Sequence, residues 1–78
     1  MANPLRVWVI VNQLGLPLSW GISSSRSETM MAAANGFLGA NEFLQLGTDS
    51  KRWAKCYRMG IRVRRAVVTF DDVELGHD

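Results

Sequence analysis

Residues 6–23 read RVWVIVNQLGLPLSWGIS, and the fold turns on how this stretch pairs with itself. Arg6 to Asn12 is rich in β-branched and aromatic residues, and from Leu18 to Ser23 the apolar Leu18, Trp20 and Ile22 alternate with Ser19, Gly21 and Ser23. Both patterns predict strands. Between them Asn12 offers a side-chain acceptor at the start of a turn, Gly15 tolerates a positive φ at its end, and Pro17 suits a strand entry or edge. A hairpin is the expected result. Val7, Val9 and Val11 interleave with Trp8 and Ile10, so both faces of the first strand are apolar and it belongs in the middle of a sheet.

Downstream, Ser25 and Glu28 have the S-x-x-E spacing in which each side chain satisfies a free backbone N–H of the other residue, so a helix is expected from Arg26. Met30, Ala33, Ala34 and Phe37 fall on one stripe of it, and Asn35-Gly36 predicts that it frays or stops between Asn35 and Gly39. Phe37 to Leu46 reads as a packed loop with a short helical turn from Asn41. Thr48, Asp49 and Ser50 are N-cap residues and Gly60 suits a left-handed cap, which sets a second helix over about 50–59. Its wheel gathers Trp53, Cys56 and Tyr57 on one side and Lys51, Lys55 and Arg58 on the other.

Ile61 to Phe70 is the third expected strand. In regular alternation Arg65 shares the face of Ile61 and Val63, whereas a bulge at Arg64-Arg65 returns Ala66, Val68 and Phe70 to the core side. The predicted architecture is α+β, in the order β-β-α-α-β: a three-stranded antiparallel sheet, order 2-1-3, with helices on one face.

The chain has 78 residues, 47% of them hydrophobic and 21% charged, which predicts one small domain over 1–78 with a frayed acidic tail at 71–78. That is too apolar for a disordered chain, and the longest apolar run, Val7 to Val11, falls far short of the roughly 20 residues of a membrane span. No membrane association is expected. The single Cys56 makes no internal disulfide and no signal-peptide pattern precedes it, so a cytoplasmic protein is expected. Charge is segregated: residues 1–50 sum to −1, residues 51–65 to +7, and the remainder to −4.

Catalytic constellations are not found. His77 sits next to the C-terminus, and Cys56 lies on the apolar face of its helix with no histidine base. Asp71, Asp72 and Glu74 match no cation loop, and Gly36, Gly39 and Gly47 are too dispersed for a phosphate loop. The expectation is a non-enzyme without cofactor or metal. The informative segment is basic: Lys51, Arg52, Lys55, Arg58, Arg62, Arg64 and Arg65 form the candidate partner-binding set. These side chains suit an acidic protein surface, or successive phosphates of a nucleic acid with Trp8 as a stacking platform, or simply a solvated face.

The strand and turn Val7-Trp8-Val9-Ile10-Val11-Asn12 with Gly15 to Pro17, Trp20 ahead of Ser25-Arg26-Ser27-Glu28, and Trp53 followed by Tyr57-Arg58-Met59-Gly60-Ile61-Arg62-Val63 resemble small orphan accessory proteins of bacteriophages and prophages. Anti-CRISPR inhibitors are among these. The resemblance implies a non-enzymatic protein of the bacterial host cytoplasm, a monomer or weak homodimer, that binds a host protein or ribonucleoprotein complex and inhibits it by occupying a surface. A small sequence-tolerant nucleic-acid-binding module using residues 51–65 is the alternative.

Overall fold

The computed structural model describes residues 4–69. Strand β1, Leu5–Val11, is followed by helices α1, Arg26–Phe37, α2, Ala40–Leu46, and α3, Asp49–Arg58, and then by strand β2, Arg62–Val68. The class is α+β, but the sheet has two antiparallel strands where three are expected from the sequence. Leu18 to Ser23 is not a strand.

The segment does run beside β1. Trp8 and Ser23 exchange backbone hydrogen bonds of 2.7 and 3.2 Å, and the Leu18 amide donates to the Ile10 carbonyl at 2.8 Å. Pairing fails between these points because Gly21 takes the left-handed conformation, φ +76°, and lodges between Ile10 of β1 and Ala32 of α1. A Cβ at this position would run into Ile10, so only glycine fits there. The Trp20 indole lies directly on Gly36 of α1, close enough that a Cβ at that position would run into the ring, and it stacks obliquely on Phe37 with ring centroids 5.5 Å apart. The apolar alternation of Leu18, Trp20 and Ile22 thus serves a loop packed on a helix. The turn before it forms as expected: Asn12 Oδ1 accepts from the Leu14 and Leu16 amides, and Gly15 has φ +80°.

Helix α1 starts at Arg26 with Ser25 as its cap, but the reciprocal half of the capping box is absent. Glu28 instead accepts from the Ser23 hydroxyl at 2.8 Å, while that hydroxyl takes the Ser25 amide. The helix ends at Phe37, inside the expected interval. Residues 40–46, expected as a loop with one turn, form helix α2, which closes on Gly47 at φ +79°. Thr48 caps α3 through the Lys51 amide.

The register of β1 on β2 is unbroken from Leu5 opposite Val68 to Val11 opposite Arg62, so the strand carries no bulge at Arg64-Arg65. Regular alternation leaves Arg65 on the face of Ile10 and Val63, opposite Trp8, whose ring offers its electron-rich face to the guanidinium at 5.0 Å. That contact removes the need for a bulge. The core cluster joins Ile10 and Ile61 to Ala33, Ala34, Leu38 and Cys56, with Phe43, Leu46 and Trp53 packed around it. Val7 and Val9, on the other face of β1, are buried outside this cluster. Phe70 and the expected tail at 71–78 lie outside the described residues.

Candidate interaction surface

The basic segment divides into cations that hold the fold and cations that face water. Arg52 belongs to the first group: its Nε donates to the Phe43 carbonyl at 2.8 Å, its guanidinium lies 3.8 Å from the Phe43 ring centroid, and one nitrogen meets Asp49 at 3.2 Å. It fastens α2 to α3. The Arg52 side chain is only 15% exposed, so these bonds act where water competes little. Arg52→Ala is expected to lower stability by about 1.5–3 kcal/mol, mostly from the charge-assisted bond to Phe43. Arg52→Lys should recover little, since an ammonium cannot donate along that line and lie flat on the ring at once. Urea unfolding of both variants measures this; full rescue by lysine would show that charge alone is required.

Arg62 is also engaged. It covers the Tyr57 ring at 3.5 Å and donates to the Tyr57 and Ile61 carbonyls, closing the junction between α3 and β2. Tyr57 nevertheless remains 52% exposed, not core-facing as the helix wheel suggests. Lys55 reaches across to Glu42 of α2 at 3.5 Å, a half-exposed pair. The remaining four, Lys51, Arg58, Arg64 and Arg65, are exposed and form no ion pair with any described residue. They do not make one patch. Lys51 and Arg58 lie at opposite ends of α3, and neighbours in an unbulged strand point to opposite faces, so Arg64 and Arg65 diverge.

A second basic cluster was missed in reading the sequence. Trp8 projects from β1 with Arg65 of the paired strand on one side, and Arg26, at the start of α1, brings its guanidinium to 5.9 Å from the same ring. The two arrive from opposite edges of β1, because Trp8 bonds Ser23 on the edge away from β2. Arg6 shares the Trp8 face by strand alternation. The signal for Arg26 lies in the expected pairing of residues 18–23 with β1, which sets Ser23 beside Trp8 and the start of α1 next to it. Each guanidinium keeps N–H donors for a carboxylate or phosphate while it lies over the indole.

Cys56 is fully buried in the core cluster. Burial pushes its thiol above the usual range, with the Glu42 carboxylate adding to the rise and a backbone hydrogen bond opposing it. A thiol held protonated is a poor nucleophile. Among the described residues no group of three His, Cys, Asp or Glu side chains gathers as a metal would require, and no helix is long and apolar enough to cross a membrane. Ser27, Met30 and Met31 of α1 and Asp49, Ser50 and Trp53 of α3 line a groove of about 300 Å³. His77, Asp71, Asp72 and Glu74 fall outside the described residues. No protein-family model, curated protein or solved structure matches the chain.

Proposed function

We propose that the chain is a non-enzymatic, phage-type interaction protein that binds a host protein or ribonucleoprotein complex stoichiometrically and inhibits it by occupying a surface, as anti-CRISPR proteins do. The observation that supports this reading is the set of exposed cations, Lys51, Arg58, Arg64 and Arg65, for which no described carboxylate is a partner. Cations left in water cost nothing to present and steer an acidic surface into contact. The test is a Lys51→Glu, Arg58→Glu double reversal. Each substitution lies on solvent and should change stability by about 0.5 kcal/mol or less, while affinity for the partner recovered from a bacterial lysate falls about tenfold or more. Unchanged affinity for that partner removes α3 from the contact.

The alternative, a sequence-tolerant nucleic-acid-binding module, draws on a different observation, the grouping of Trp8 with Arg6, Arg26 and Arg65. Its signature is salt dependence: each phosphate contact with duplex DNA adds about −0.9 to the slope of log K against log salt. A flat slope, or no binding at low salt, excludes it.

A further inference from the structure

We propose that the outer edge of β2 is a strand-addition site for an extended, acidic segment of a partner polypeptide; this rests on the reading above and names the backbone as the contact. In an antiparallel pair, the N–H and C=O of one residue point to the same edge, and successive residues alternate. Trp8 spends both groups on Ser23, so Val7, Val9 and Val11 turn theirs toward β2 and bond Ala66, Arg64 and Arg62, the residues opposite them. The backbone groups of Val63, Arg65 and Val67 consequently point away from β1. No described residue meets them.

Natural sheets blunt such an edge by keeping it short, by proline or by a bulge. β2 does none of these: it is seven residues long, lacks proline and keeps unbroken register. Among the described residues its protection is the charge of Arg62, Arg64 and Arg65. That charge chooses the occupant. A second copy is disfavoured, because the antiparallel register that pairs the whole strand sets Arg65 against its own copy and draws the arginines of both chains together. An acidic strand turns Arg62 and Arg64, which share a face, into attractions. Arg62 and Arg64 lie on one face of the edge, and Val63, Arg65 and Val67 on the other, where Val63 is buried and Val67 59% exposed. The matching sequence alternates carboxylates with apolar residues, so that carboxylates meet Arg62 and Arg64 and an apolar side chain covers Val67.

The experiment is amide hydrogen exchange on the whole protein, free and with a capped peptide of alternating Val and Glu as long as β2. At a peptide concentration about ten times its Kd, the Val63, Arg65 and Val67 amides should exchange about tenfold more slowly. The inward amides of Arg62, Arg64 and Ala66, already bonded to β1, should be unchanged. A Val–Lys peptide should give no protection, nor should the Val–Glu peptide with alternate amides N-methylated. Val67→Pro removes one outward N–H without touching the β1 ladder and should abolish the effect; the N-methylated peptide carries the same test should that variant fold poorly. Four outcomes overturn the proposal: no outward protection at millimolar peptide, equal protection by Val–Lys, outward amides already slow in the free protein at every concentration, or protection that grows with protein concentration alone. A partner lost on Lys51→Glu, Arg58→Glu with the outward amides indifferent to peptide leaves the functional reading standing and removes only the edge.

Discussion

Gly21→Ala is expected to unfold much of the population at room temperature. The position has φ +76°, which costs an L-residue about 1–2 kcal/mol, and the added Cβ would stand 2.5 Å from Ile10 Cδ1 and 3.1 Å from the Ala32 Cβ. Ile10 is fully buried and cannot swing aside without moving β1 or α1, so overpacking adds about 1–3 kcal/mol more. The combined loss of about 2–5 kcal/mol is comparable to the stability a core of this size supplies. Gly15→Ala is the control, since Gly15 has a similar φ, +80°, with nothing within 4 Å of an added Cβ. It should lose only the conformational part. The difference between the two urea midpoints, converted with their common slope, isolates the wedge between β1 and α1. Equal losses would mean that the loop at Gly21 does not seat between them.

This wedge is also where the sequence misled. Alternation of Leu18, Trp20 and Ile22 is a true burial signal, and the turn chemistry of Asn12 and Gly15 was readable because it is local. What alternation cannot convey is whether the apolar residues face a sheet's core or the side of a helix. The deciding contacts, Gly21 against Ala32 and Trp20 against Gly36, join residues that are distant in sequence. Helix α2 was missed for a related reason: glycines at both ends, Gly39 and Gly47, suggested a loop, yet they serve as its caps. The ends of α1 and α3 were legible because Ser25, Thr48 and Gly60 act on their nearest neighbours.

The candidate surface was legible in composition but not in role. Runs of arginine say nothing about which guanidiniums find a carbonyl or ring inside the fold. Arg52 and Arg62 do, at Phe43 and Tyr57, and Lys55 meets Glu42 on a helix the sequence did not disclose. Without a bulge, the exposed Arg65 lies on the face of Trp8 and meets its ring, as Arg26 does. The basic surface is therefore dispersed over α3, both faces of β2 and the start of α1 rather than gathered in one flat patch.

Ile61→Ala should cost about 2–5 kcal/mol and unfold the chain, whereas Trp53→Ala should leave it folded with a loss of about 1–2 kcal/mol. The helix wheel alone ranks them the other way, since Trp53 is the largest apolar residue of α3. Burial reverses the order. Ile61 is fully buried and completes the cluster with Ile10, Cys56, Ala33 and Ala34, so truncation leaves a cavity bounded by β1, α1 and α3 that small alanines cannot collapse into. Trp53 is half-buried, lines the open groove beside Met30 and Met31, and meets Tyr57 edge-on with centroids 6.4 Å apart. Its loss widens a groove that solvent already reaches. Thermal melts of the two variants decide the matter, with Tm for Ile61→Ala falling about twice as far as for Trp53→Ala. If Trp53→Ala proves the costlier, α3 leans its aromatic side into the core, Arg62 loses its seat on Tyr57, and the start of β2, with the edge proposed on it, shifts with that arginine.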